Sequence, residues 1–332
     1  MRRIFFVFIY LLVVSCCEGG SNQIRIDIDR ASKKQVSVRD LYAHALLIPL
    51  HFPGNTPIGK EGKVIMEVSE TRFFLLDEEN NEILVFDKDG DSVTLIKSVE
   101  GIRDFSVYRN QVLDVLTSEG IAEYSIKDGS CLVSYPIQSN DVILKSMAKV
   151  DDDSIFMHGY KDGRAYDCEY LIDRDRFSSV VSPIFPASEY QNSRFFRCND
   201  STYSFSTLSG LILQFTSDDF IYPLYEWDFG KRSPIFTNAQ MTDDKIYLAF
   251  QLDEEKQVLI YDVKSKKYKV VQQTKEGVSF PLGVIYDGSN YYCCRSSRLS
   301  NYLTQESVRG IGADKYEELI LSDCLVVIRF VL

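Results

Sequence analysis

The sequence predicts an all-β fold, a six-bladed β-propeller closed by an N-terminal strand in the last blade, and three observations carry that prediction. A strand–turn–strand figure returns with a period in the forties. The aromatic residues are those of sheets, 20 Tyr and 21 Phe against one Trp, whose flat rings pack across neighbouring strands. The chain ends on an apolar strand, LVVIRFV, that needs a partner from elsewhere. A length of 332 residues with 45% hydrophobic content suits one large β unit with a substantial core.

The clearest copy of the repeat is EILVFD at 82–87, then Lys88-Asp89-Gly90, then a second β-prone run at 92–96. Asp-Gly between two such runs marks a hairpin, because Gly accepts the positive φ that the turn demands. The figure returns at 121–126 with Lys127-Asp128-Gly129, and more loosely at 169–173, 211–215 and 258–262. Taking Phe86, Ser125, Ile172, Phe215 and Tyr261 as equivalent points, the spacings are 39, 47, 43 and 46 residues. Upstream of each hairpin lies a run that reads as an inner strand: 72–76, 111–116, 154–158, 202–205 and 245–250. A sixth unit starts at 280–286 and 290–295, is interrupted by a polar, partly helical stretch at 296–322, and resumes at 325–331. A ring cannot close with a free edge, so a strand from the other end must complete this last blade. Residues 45–50, ALLIPL, are the natural candidate.

The N-terminus carries a different signal. Arg2 and Arg3 precede eleven apolar residues, Ile4 to Val14, a run too short to span a bilayer and suited to a secretory leader. Val13-Val14-Ser15-Cys16 then reads as a lipobox, with Cys16 as the lipidated residue; Val14-Ser15-Cys16-Cys17 is the shifted alternative. The expected organisation is a lipoprotein signal peptide at 1–15, a lipidated Cys and flexible tether at 16–35, and the propeller at 36–332. Two or three acyl chains on one residue hold a protein firmly, where a single chain binds only marginally. Loss of the leader takes the formal charge from −11 to −13, which repels phosphate backbones and argues against nucleic acid.

Candidate chemistry is sparse. The six remaining cysteines show no CxxC pair or metal spacing and read as small buried apolar residues; a bridge from Cys324 to Cys293 or Cys294 is the one pairing worth testing. There are three histidines, and His158, at the end of a predicted inner strand, reads as a hydrogen-bonded core residue or, near the axis, a ligand. The acids cluster in turns, where carboxylates fix their own backbone. Asp87-x-Asp89-Gly90-Asp91 resembles a calcium loop only faintly, lacking a distal Glu. Tyr160, Tyr166, Tyr190, Phe195, Tyr225 and Trp227 are aromatic candidates for sugar stacking or for blade packing. No catalytic, cofactor-binding or metal-binding residue is assigned.

Three stretches, Ile48-Pro49-Leu50, ILVFDKDG at 83–90 and Tyr225-Glu226-Trp227-Asp228-Phe229-Gly230-Lys231, together with the C-terminal LVVIRF strand, resemble the six-bladed β-propeller lipoproteins of Bacteroidetes, which are similar in shape to NHL-type propellers. The resemblance runs over nearly all of the mature chain and implies fold and address more than activity. Many such proteins carry Gly-Pro-Gly before the second blade. Here the stretch reads SVEGIRDF at 98–105, shorter and without proline, so a ligand site on that loop would differ in this chain. The expected role is a non-catalytic binding or interaction module at the outer membrane, periplasmic or surface-facing, in glycan or nutrient capture. Its expected partners are the membrane, through the lipid, and a glycan or envelope protein. The alternative is an envelope enzyme, a glycan lyase or hydrolase with its site at the channel mouth; a third reading is a structural subunit of an envelope complex.

Overall fold

The computed structural model describes residues 22–31, 36–52, 64–98, 100–109, 112–139, 141–181, 194–199, 201–207, 210–215 and 221–332. Cys16 and the leader lie outside these residues, as does Tyr190. Six antiparallel sheets follow one another along the chain. From the axis outward, blade 1 is Val64–Val68, Arg72–Asp77, Glu82–Asp87 and Ser92–Lys97, and blade 2 is Ile102–Arg109, Val112–Thr117, Gly120–Ser125 and Cys131–Pro136. Blade 3 is Ile143–Lys149, Ser154–Lys161, Arg164–Leu171 and Arg176–Val181. Blade 4 is Arg194–Cys198, Ser201–Phe205, Ile212–Phe215 and Ile221–Asp228, and blade 5 is Ile235–Met241, Lys245–Leu252, Glu255–Asp262 and Lys267–Val271. Blade 6 is Val284–Tyr286, Ser289–Arg295, Leu325–Val331 and His44–Pro49. Each innermost strand packs against the next, and that of blade 6 against that of blade 1, so the ring is closed.

The predicted closure holds. Ala45 pairs with Phe330 and Pro49 with Val326 in an antiparallel ladder. The outer edge of this strand is itself covered, since Arg309 N–H donates to the Ala45 carbonyl at 2.9 Å. The interruption at 296–324 forms two 3₁₀ turns and the helix Ala313–Ser322, and it packs Leu299, Leu303 and Tyr316 onto Tyr42, Phe280 and Phe330.

The middle strands are apolar without alternation because both faces of a blade are covered. In blade 1, Phe74, Leu76, Ile83 and Val85 face blade 2, whereas Phe73, Leu75, Leu84 and Phe86 face blade 6. Burying each contributes about 1.5–3 kcal/mol. The hairpin glycines have a second reason beyond the turn. A Cβ on Gly90 (φ +94°) would strike the Pro49 carbonyl on the outer strand of blade 6, and one on Gly129 (φ +71°) would press on the Leu95 carbonyl of blade 1. In blades 1 and 2 the Asp-Gly turn is therefore also where the blade nests against its predecessor.

Two expectations need correction. The five runs read as inner strands are the second strands. The true innermost strands are short or bulged and carry Glu67, Asp104, Lys145, Lys149, Arg194 and Arg197, so they lack the apolar continuity that the pattern selects. Part of the expected tether is also folded: Asn22–Arg25 adds a fifth, parallel strand to blade 4. Ile24, Ile26 and Ile28 alternate with exposed Arg25 and Asp27 and are buried beside Trp227 and Phe229. Among the described residues no helix is long and apolar enough to cross a membrane.

Candidate functional site at the propeller axis

The innermost strands converge on the axis, and side chains of blades 2, 4 and 5 tie to the backbone of a neighbouring blade. In blade 5, Gln240 Oε1 accepts from the Ile285 N–H of blade 6 at 3.1 Å. In blade 2, Asp104 Oδ2 accepts from the Met147 N–H of blade 3 at 2.9 Å. The two ties span 45 and 43 residues. A neutral amide serves at one seam, so the carboxylate at the other is a charge that the tie itself does not require.

That charge belongs to a network. Asp104 is only 9% exposed; burial raises its carboxyl to about 6, against the pull of Arg194 and the Met147 N–H. Glu67, on the innermost strand of blade 1, is raised to about 7 by burial and by the charge of Asp104, with Arg197 and Arg194 opposing. Both arginines come from blade 4, across the ring from blade 1. Arg197 donates to the Lys149 carbonyl and lies 4.8 Å over the Tyr108 ring. Lys149 Nζ sits 3.3 Å from Asp114 and 3.2 Å from Glu123. Burial raises Asp114 to about 6, with Lys149 lowering it. Four blades thus contribute acids and bases to one region, in which carboxyls near neutrality both donate and accept hydrogen bonds.

A second constellation has the residue types of a nucleophilic triad. His158 Nε2 is 2.8 Å from Ser204 Oγ, and His158 Nδ1 is 3.3 Å from Asp167 Oδ1. His158 lies on the second strand of blade 3, not beside the axis, and its ring stacks on Phe195 at 4.4 Å. Ser204 is 0% and His158 1% exposed, so no substrate carbonyl can approach the hydroxyl. The group is a polar tie between blades 3 and 4, the core-histidine reading of the sequence.

The other candidates resolve similarly. Phe195, Tyr225 and Trp227 are buried between blades. Asp87 Oδ1 accepts from the N–H groups of Asp89 and Asp91 at 3.0 and 2.9 Å, so this carboxylate fixes its own turn. Cys131, Cys168, Cys198, Cys293, Cys294 and Cys324 are free thiols. Among the described residues no three His, Cys, Asp or Glu side chains group to hold a metal. The sequence reading missed the axial group: charged residues stand just upstream of the apolar second strands of blades 1 to 4, but the innermost strands of blades 5 and 6 carry none, so no ring-wide period marks them.

This architecture defines a six-bladed β-propeller. No family model and no curated protein matches the sequence. Among solved structures, a Bacteroides fragilis protein described as exported superposes with a TM-score of 0.67 at 11% identity, over 93% of this chain and 99% of that one. A streptogramin B lyase aligns with a TM-score of 0.47 at 10% identity, over 76% and 78% of the two chains. A Bacteroides caccae protein of unknown function aligns at 0.44 and 11% identity, over 67% and 82%. At these identities the first likeness speaks to the fold alone, and the other two carry no argument.

Proposed function

We propose that this protein is an exported propeller, anchored by lipid at Cys16 to the outer membrane of a Bacteroidetes-type envelope, that captures an acidic glycan in its axial channel without turning it over. The observation carrying the binding reading is the surplus of ionisable side chains where neutral ties suffice, above all Asp104 against Gln240. Arg194 and Arg197 suit an acid group on the ligand, and Glu67 and Asp104 suit its hydroxyls. Among the described residues the Ser204–His158 pair is sealed from solvent and offers a ligand no nucleophile.

A glycan array followed by calorimetry tests the binding. An acidic oligosaccharide should bind, and Arg194→Ala should weaken it by about tenfold. Since Glu67 and Asp104 gain charge as pH rises through about 7 and about 6, affinity for an anion should fall from about pH 5.5 to about pH 8. Glu67→Gln should flatten that dependence; a neutral glycan bound independently of pH and of Arg194 would refute the axial reading. For the anchor, Cys16→Ala should move the protein from the detergent to the aqueous phase. An unacylated mature N-terminus on a protein that stays with the membrane would reject it.

A further inference from the structure

The outer hairpin of blade 1 turns one cation inward. Lys88 Nζ lies 4.5 Å from the ring centroid of Phe73, 4.8 Å from that of Tyr291 and 5.4 Å from that of Tyr286, all within the reach of a cation–π contact, about 6 Å. Phe73 belongs to blade 1 and both tyrosines to blade 6, so the cage straddles the seam where the ring closes. Phe73 and Tyr291 are buried, 5.7 Å apart and tilted by 56°, as two adjoining walls.

The occupant is poorly matched to the cage. Lys88 Nζ is shielded from water, and among the described residues no acceptor lies within hydrogen-bonding distance. A primary ammonium has three N–H donors, and burying them without acceptors is costly. Burial, with Arg329 adding repulsion against the attraction of Asp287, lowers the amine to about 8.

We propose that the cage of Phe73, Tyr286 and Tyr291 is a binding site for a quaternary ammonium group, plugged by Lys88 in the free protein. A trimethylammonium group brings the positive charge the ring faces attract and has no donors left unsatisfied. Asp287 acts on both Lys88 and Tyr286, and Glu70 also acts on Tyr286, so the surroundings include two acids. The Arg329 guanidinium, 5.6 Å over Tyr291, is the opposing charge, and its Nε donates to Ser289 Oγ at 3.1 Å. Lys88 can withdraw by rotating its own side chain, because Asp87 and Gly90 hold the turn backbone independently. In water its ammonium regains hydration, which offsets part of the cost of leaving.

Calorimetric titration of the full chain with choline chloride, against sodium chloride at matched ionic strength, tests the site. Lys88→Ala should bind choline saturably and about tenfold more tightly than the parent. Ethanolamine, the primary-ammonium analogue, should bind that variant about tenfold more weakly than choline. Adding Tyr291→Leu to Lys88→Ala should abolish binding; should that variant fail to fold, Tyr286→Leu carries the same expectation. No saturable choline binding by Lys88→Ala overturns the site, equal affinities for choline and ethanolamine overturn the ligand class, and equal affinities of parent and Lys88→Ala overturn the plug.

Discussion

Two seams of the same ring are joined in different ways. Between blades 1 and 2 the contact is mainly apolar, with Phe74, Leu76 and Val85 against Phe105, Leu113 and Val115, beside a buried bond in which Thr94 Oγ1 donates to the Ile126 carbonyl at 2.7 Å. Between blades 3 and 4 the apolar cluster is small, built on Ala148, Ala165, Phe195, Leu213 and Phe215. An imidazole and its partners, Ser204 and Asp167, fill the space beside it. Apolar contact is non-directional, so it holds blades together without fixing one sliding position. A buried hydrogen bond must be met in one geometry, so the polar seam sets the register of blade 3 on blade 4.

Substitutions at the two seams separate these modes. Phe74→Ala, at a fully buried position, should cost about 3–5 kcal/mol in urea unfolding, chiefly as lost burial and a cavity. His158→Ala should cost less, roughly 2–3 kcal/mol, much of it from leaving the Ser204 hydroxyl buried without its partner. Replacing both members, His158→Leu with Ser204→Ala, should recover much of that loss, because the buried hydroxyl and imidazole are both gone and Asp167, which is partly exposed, is the one partner left behind. A double variant as weak as His158→Ala would show that the hydrogen bonds themselves, and not the space the ring fills, carry the stability.

The contrast also explains what could be read from the chain. The second and third strands carry runs such as FFLL and ILVF because a neighbouring blade covers each face, and those runs, with Asp-Gly turns between them, are visible in one dimension. The closing strand was legible too, since 45–50 and Leu325–Val331 are both apolar, and Leu325–Val331, paired on one edge with Ser289–Arg295, has no later strand to cover the other. The innermost strands were not. Their side chains answer to the channel and to the next blade's backbone, as Asp104 answers to Met147, and such a partner 43 residues away leaves no periodic mark. The Ile24–Ile26–Ile28 alternation was readable, but the polar residues just before it masked it as tether. The cage around Lys88 depends on two blades from opposite ends of the chain, so only the closed ring reveals it.

The smallest effect expected is at a third seam, and it comes from charge alone. Asp104 accepts from Met147 as Gln240 accepts from Ile285, so Asp104→Asn keeps an oxygen for the tie and removes only the ionisation. The folded-state carboxyl, at about 6, lies above its ordinary value of 3.8. Its protonated form is thus the one the fold prefers. The associated stability is fully present below the unfolded value and is lost as pH rises through about 6. Near pH 4 the Asn variant should therefore melt about where the parent does. Near pH 8 it should be the more stable by on the order of 2 kcal/mol. Thermal melts across that range decide the matter. A variant no more stable than the parent at pH 8 would mean that Arg194 already neutralises the carboxylate, and that the blade 2–3 seam tolerates an acid as readily as the blade 5–6 seam tolerates its amide.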